Sequence, residues 1–378
     1  MSIRVVHLVD DHTPEDGARL CSLVLRKLPA EDVAQQVVAM GEVPASLVVP
    51  GDRRAVRAAR PLTWPMVWAQ PLQRRLRQLR PDAVFAWSAV ACAAAGSAGG
   101  FPVVGVVCDP SDAQAWSRWS DAVRGGSARR FELACTSGTV QRRLVECGVP
   151  MGSTVVIRPG IDFAAIRRAR QTADRTRSRL GLPAAGRVML TASPPSRVGG
   201  QYHAVWATAI LHHIWPDAML IVPGVSREQR RIARLIESIY CPQVYRLTGD
   251  VYSPTELLAV ADALVVPALG DVSSGWIAWA MAAGVPIVGS AVPAVAEFIA
   301  DRQNGFLCKP GEPHTLAIRI RTVFESPELL AQCARTAGQQ AYETFRAERC
   351  VDEFLKLLRN LVAGGPALAG VRDAAFDA

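Results

Sequence analysis

Two successive series of short, β-branched apolar runs, each run set off from the next by a helix-like stretch, constrain this chain more than any other feature. The first series is Ile3–Val9, Val33–Met40, Ala83–Trp87, Pro102–Cys108, Leu133–Thr136 and Thr154–Ile157. The second is Val188–Ala192, Met219–Val222, Val244–Leu247, Ala263–Val266, Pro286–Val288 and Gly305–Cys308. Runs that are apolar at nearly every position, and not at alternate ones, predict strands buried on both faces, as in parallel sheets covered by helices. Two such series in tandem predict an α/β chain with two doubly wound, Rossmann-like domains. With 378 residues, half of them hydrophobic and a fifth charged, the chain can bury two full cores, which excludes a disordered protein. No unit of solenoid length repeats.

Pro and Gly in Arg158-Pro159-Gly160-Ile161-Asp162 end a strand and place the close of the first domain at residues 1–162. The arginine-rich Ala164–Leu180 reads as one connecting helix within a linker of residues 163–181, followed by a second domain over 182–343. Helical spacing recurs over Glu328–Glu343 and Ala347–Leu361. Residues 344–378 are read as a helix returning toward the first domain, then a frayed tail rich in Gly and Ala.

Composition narrows the class of function. The nine cysteines are odd in number and contain no C-x-x-C pair, so they read as free thiols of a reducing cytoplasm and not as a disulfide framework or a zinc site. The amino terminus lacks the basic start and long apolar stretch of a signal peptide, and no apolar run is long enough to span a bilayer. The expected location is cytoplasmic, with peripheral contact to the inner face of a membrane as an added reading. That reading rests on the segment Arg53–Arg80, which holds eight arginines and no acidic residue, with Trp64, Met66, Trp68 and Leu72 interleaved. Such a segment could rest on anionic headgroups or draw in a phosphate-bearing acceptor. The blander reading, a solvated helix face plus a loop, stands slightly ahead of it. No nucleic-acid-binding module surrounds the segment, and no nucleic acid is expected as a partner.

The richest stretch for chemistry runs from Asp262 to Gly311. A strand ends at Pro267, a small-residue loop Gly270–Gly275 follows, and a helix begins near Trp276, with Ser273 or Ser274 able to cap it. A helix start after a parallel strand is suited to a diphosphate. The order of features continues through Asp271, Gly275, Trp279-Ala280-Met281-Ala282, Gly284-Val285-Pro286-Ile287-Val288, Glu297, Asp301 to Gly305, and Pro310-Gly311.

This succession resembles the carboxy-terminal domain of the family 4 retaining glycosyltransferases. Cys135 to Ile166 is similar to the stretch that closes the family's first domain, and Thr13 to Leu28 to its first helix start, reduced here to Asp16-Gly17-Ala18-Arg19. The resemblance covers nearly the whole chain. It implies the GT-B fold, two Rossmann-like doubly wound domains facing across a cleft, and a retaining transfer from a nucleotide-sugar donor to an acceptor that the sequence does not identify (glycan, lipid or small molecule). The second domain would hold the donor and the first the acceptor. No cofactor is implied, the nucleotide-sugar being a substrate, and the lack of a D-x-D loop fits metal-independent chemistry.

Departures from the family pattern fall at the chemistry. The family's paired glutamates, eight positions apart, correspond to Asp271, which can still accept from sugar hydroxyls, and Trp279, which cannot accept a hydrogen bond at all. In the loop Thr191 to Gly200, Ser193 takes the place of a phosphate-binding arginine, and Arg197 stands near that of a lysine. The family's histidine beside the reacting sugar corresponds to Cys108, with Asp109 next to it at the strand end. The expected roles are therefore Asp271, Arg197 and Asp109 at the reacting centre. Ser193, Tyr245, Arg246, Leu247, Ser273, Ser274, Gly275, Trp279 and Glu297 would contact the donor, and Asp16, Gly17 and Cys108 would lie where the acceptor or a phosphate approaches. Two readings follow from this pattern: an active transferase, and a catalytically silent GT-B-like binding or scaffold protein. His203, His212 and His213 do not share one helix face as a metal pair would.

Overall fold

The structure, a computed structural model, describes residues 2–50, 56–57, 65–124, 130–183 and 186–364, with the backbone alone for 56–57, 65–70 and 119–124. It forms two compact units, Met1–Gly160 with Ala347–Ala378, and Ile161–Arg346.

In the first unit the chain runs β1 (Ile3–Asp10), α1 (Glu15–Lys27), β2 (Val33–Met40), β3 (Val56–Arg57), α2 (Pro65–Leu79), β4 (Ala83–Ala86) and α3 (Ala89–Ala98). It continues β5 (Val103–Val107), α4 (Ala113–Arg124), β6 (Phe131–Cys135), α5 (Gly138–Glu146) and β7 (Thr154–Val156). The sheet order is β3-β2-β1-β4-β5-β6-β7, and each of its pairings is parallel. The second unit opens with α6 (Phe163–Gln171) and α7 (Ala173–Arg179), then β8 (Arg187–Thr191), α8 (Gln201–His212), β9 (Ala218–Pro223) and α9 (Gln229–Ser238). It proceeds through β10 (Tyr245–Gly249), α10 (Pro254–Leu258), β11 (Ala263–Val266), α11 (Gly275–Ala283), β12 (Ile287–Ser290), α12 (Pro293–Ala296) and β13 (Phe306–Cys308). It closes with α13 (Pro313–Phe324) and α14 (Pro327–Thr344), after which α15 (Ala347–Ala363) belongs to the first unit. The second sheet is also parallel, in the order β10-β9-β8-β11-β12-β13.

Alternation along a strand explains why its runs are apolar throughout. Val5 and Val9 of β1 enter one core of the first unit, while Val6 and Leu8 enter the other. In β8 the same split sends Val188 and Leu190 to one side and Met189 to the other. A buried polar chain threads the first unit. Trp87 Nε1–H donates to His7 Nδ1 at 3.2 Å, which leaves His7 Nε2–H to donate to Gln35 Oε1 at 3.2 Å.

The stretch read as a single linker helix is two helices, parted at Thr172 (φ −111°, ψ 11°), and it belongs to the second unit. Its apolar residues Ile166 and Leu180, and Ile161 just before it, explain the placement, since they are buried in that unit's core. Helix α15 supplies Phe354, Leu357, Leu358 and Leu361 to the first unit's core, with Phe354 edge-on to Phe85 at 5.8 Å. Residues 365–378, including most of the tail read as frayed, lie outside the described residues.

All nine cysteines are free, and only Cys147 is exposed. Of the arginine-rich segment, Arg53, Arg54, Arg60 and Trp64 lie outside the described residues. In its described part α2 buries Leu72 and Leu76 and exposes Arg74 and Arg77, with Arg80 exposed just beyond it. Among the described residues no helix is long and apolar enough to cross a membrane.

Candidate functional site

In both sheets the strand order reverses beside the first strand, between β1 and β4 and between β8 and β11. The chain leaves those strands toward opposite faces, so a crevice opens at their carboxyl ends, where doubly wound folds bind ligands.

In the second unit the crevice is framed by the loop Ala192–Gly200 after β8 and the loop Pro267–Ser274 after β11. The two loops touch: Leu269 N–H donates to Val198 O at 2.7 Å. The buried carboxamide of Gln201, first residue of α8, organises the former loop. Its Nε2 donates to Ala192 O at 3.0 Å and Pro194 O at 3.3 Å, and its Oε1 accepts from Ser196 N–H at 3.0 Å. Ser193 sits in this clamp with φ +62°, a left-handed conformation that a serine rarely takes.

The other side of the crevice is the amino terminus of α11. Neither expected serine caps it in the usual way. Ser274 occupies the cap position in helical conformation and makes no side-chain capping bond, while Ser273 Oγ accepts from Gly275 N–H at a long 3.4 Å. Ser274 is only 3% exposed, and its Oγ has no hydrogen-bond partner. The amides of Gly275, Trp276 and Ile277 precede the first intrahelical bond, from Ala278 N–H to Ser274 O. Partial positive charge and an unsatisfied hydroxyl thus meet at one point, an arrangement suited to a phosphate.

The remaining expected donor contacts are distributed unevenly. Asp271 lies half-buried in the loop leading to α11. Arg197 is on the loop, but its side chain is 76% exposed and its Nε lies 3.6 Å from Glu228 Oε1, a carboxylate also held by Arg231 at 3.0 Å. Trp279 packs half-buried against the core of the second unit. Glu297 follows the four-residue helix α12 as its carboxyl-terminal cap. Tyr245, Arg246 and Leu247 are not at the crevice edge, because β10 begins at Tyr245 and runs on to Gly249. The Tyr245 hydroxyl is tied to Val205 O at 2.9 Å, and Arg246 donates to the carbonyls of Leu180 and Gly181 at the opposite end of the sheet. The residues at the carboxyl end are Gly224, Val225, Gly249 and Asp250, laced by Gly224 N–H to Gly249 O at 2.8 Å and Val225 N–H to Asp250 Oδ1 at 3.2 Å. The glycine closing each of those two apolar runs was the available sequence signal.

In the first unit Asp10, at the end of β1, builds the loop to α1. Its Oδ1 accepts from His12 N–H at 3.0 Å and from Thr13 Oγ1 at 3.2 Å, and its Oδ2 accepts from Ser88 Oγ at 2.7 Å. Burial outweighs these bonds and raises its carboxyl above the ordinary range. Beyond this anchor the expected residues come together. A side-chain carbon on Gly17 would lie 3.7 Å from Cys108 Sγ, and Asp16 is paired with Arg19 at 3.3 Å. Asp109 accepts from Ser111 N–H at 2.8 Å and is raised by burial and then by Asp16. Asp112, absent from the sequence-based set, is raised to about 6 by burial and then by Asp109. Burial, then Asp16, Asp109 and Asp112, push the Cys108 thiol far up, so it is no thiolate.

Known proteins match this chain in tandem along its length. The Glycosyltransferase Family 4 model matches residues 18–165, and the model for Glycosyl transferases group 1 matches residues 198–326. The chain belongs to the family 4, group 1 glycosyltransferases and has their GT-B fold. Among curated relatives, N-acetyl-alpha-D-glucosaminyl L-malate synthase of Bacillus anthracis is 27% identical over 36% of this chain and 36% of its own length. D-inositol 3-phosphate glycosyltransferase 1 of Catenulispora acidiphila is 26% identical over 55% of this chain and 52% of its own. The matched stretches thus span about a third to a half of these relatives. In fold, the chain is similar to Anabaena HepE in complex with UDP and glucose (TM-score 0.78, 20% identity, 94% of this chain and 99% of that one). It is also similar to sucrose-phosphate synthase from Thermosynechococcus elongatus (TM-score 0.77, 16% identity, 96% and 100%).

Proposed function

We propose that this chain transfers a sugar from a nucleotide-sugar donor to a hydroxyl acceptor with retention of configuration. The bond from the sugar's anomeric carbon to the diphosphate breaks, a bond to the acceptor oxygen forms, and the acceptor's proton leaves with the nucleoside diphosphate or to water. The observation that carries this reading is Ser274, whose buried and unpartnered hydroxyl adjoins the amide groups opening α11. A donor diphosphate supplies the missing acceptor. Asp271 then contacts the sugar, and the base lies along Gly224–Val225 and Gly249–Asp250. Arg197 reaches the diphosphate only by leaving Glu228. The acceptor approaches Asp16, Gly17, Cys108 and Asp109 of the first unit. The complexes of Anabaena HepE with UDP and with UDP-glucose make uridine nucleotides the first probes.

A silent binding protein is the second reading, favoured by the core packing of Trp279 and the engagement of Arg197 with Glu228. Isothermal titration with UDP, GDP and their sugars separates the two. Absence of heat at sub-millimolar concentration removes the transferase reading, while binding without donor hydrolysis or transfer selects the silent one. With an active protein, Asp271→Ala lowers turnover and Ser274→Val weakens UDP binding about tenfold. Peripheral attachment through the segment Arg53–Arg80 is tested with anionic vesicles: binding that weakens with salt supports it, and no binding at low salt ends it.

A further inference from the structure

The loop after β8 presents hydroxyls and amides where a diphosphate site built on paired cations would present arginine and lysine. Ser193 stands there with φ +62°, and the nearby Arg197 points to Glu228. A left-handed serine persists only when its surroundings over-determine it. Gln201 supplies that constraint. It is 1% exposed, and its carboxamide engages Ala192 O, Pro194 O and Ser196 N–H, with a longer contact to Ser193 O at 3.5 Å. Ser196 in turn accepts from Gly199 N–H through Oγ at 2.8 Å. A side chain at Gly199 would begin 2.7 Å from both polar atoms of Gln201 and from Ser196 Oγ, so the clamp closes directly over the Gly199 backbone.

We propose that Gln201 is the positioning residue of the donor site, holding Ser193–Ser196 against the amino terminus of α11 so that the diphosphate is bound chiefly by neutral donors. The proposal rests on the donor lying in the second unit, as argued above. Gln201 acts through the loop and does not touch the reacting atoms. Binding by neutral groups in a partly buried crevice is screened little by salt, whereas binding by an exposed guanidinium is screened strongly.

Hydrogen exchange of the ligand-free protein provides the first test. In Gln201→Met, similar in length but without the polar fork, amides of residues 192–200 should lose protection while those of β8 and β11 keep it. Unchanged loop protection overturns the proposal whether or not a nucleotide binds. Calorimetry with UDP is the second test, on variants confirmed folded by thermal melting. Gln201→Met should weaken UDP about tenfold or more, and Gln201→Glu, which keeps the acceptor for Ser196 N–H, should fall between it and the parent. Arg197→Ala should change affinity less than Gln201→Met, and the parent's affinity should vary little between low and high salt. A dominant effect of Arg197→Ala, or a steep salt dependence, overturns the neutral cradle. A parent that binds no nucleotide while the loop still loosens in Gln201→Met refutes the transferase reading and leaves the clamp standing.

Discussion

A side-chain carbon on Gly200 would lie 1.9 Å from the carbonyl oxygen of Pro267, so the loops after β8 and β11 meet backbone to backbone at the mouth of the second sheet. Gly200 also has φ +69°, which an L side chain adopts only under strain. Gly200→Ala is therefore expected to destabilise the protein by at least about 2 kcal/mol and to part the two loops. Chemical denaturation measures the first effect and loss of UDP binding the second. Parent-like stability would show that the two backbones are not in contact.

The Asp112 carboxyl gives a pH signature. Burial and Asp109 raise it from 3.8 to about 6, so the folded state is favoured with the group protonated. The favourable contribution is complete below the ordinary aspartate range and is lost as the pH rises through about 6. Asp112→Asn should therefore be more stable than the parent by about 1–2 kcal/mol at neutral pH, a discounted figure because the group is partly exposed. The gap should close as the pH falls toward about 4. Melting temperatures across this range decide it, and a gap that widens on acidification would refute the assignment.

Trp87 and His7 share the buried hydrogen bond described above. Trp87→Phe keeps most of the apolar contact but removes the Trp87 donor to the buried His7 Nδ1. The expected cost is about 1–3 kcal/mol from the unmet acceptor, with a further loss from the smaller ring. Equilibrium unfolding reads the total, and the His7 ring nitrogens in NMR report the changed tautomer balance.

Phe354 of α15 stands edge-on to Phe85 inside the first unit. Phe354→Ala should cost about 3–5 kcal/mol. The loss should appear in unfolding of residues 1–160, followed by hydrogen exchange, and protection in β8 to β13 should be largely retained.

Much of the fold was legible because parallel strands are buried on both sides, so each run announces itself without periodicity. Val33–Met40 and Ala263–Val266 match the observed strands end for end, and the ends of the others fall within two residues of those observed. The break at Thr172 was not legible, since the arginine-rich pattern continues across it and only the dihedral angles change. The short strand β3 carries too few residues to show a pattern. At the site, the helix start near Trp276 could be read from small residues after a strand. The clamp of Gln201 could not, because a glutamine beside a helix start looks like an ordinary surface residue until the loop folds over it. The contacts first expected of Tyr245 and Arg246 depended on where β10 ends. Two more residues before the turn shift those side chains away from the mouth.

The return of α15 fixes the order in which a nascent chain can finish its parts. The second unit is one uninterrupted segment and has its full set of strands once Arg346 has left the ribosome. The first unit begins earlier yet lacks Phe354, Leu357, Leu358 and Leu361 until the whole second unit has been made. The half that is synthesised first is thus the last to be completed, and during that interval the apolar face around Phe85 waits uncovered, a window in which a chaperone would be of most use.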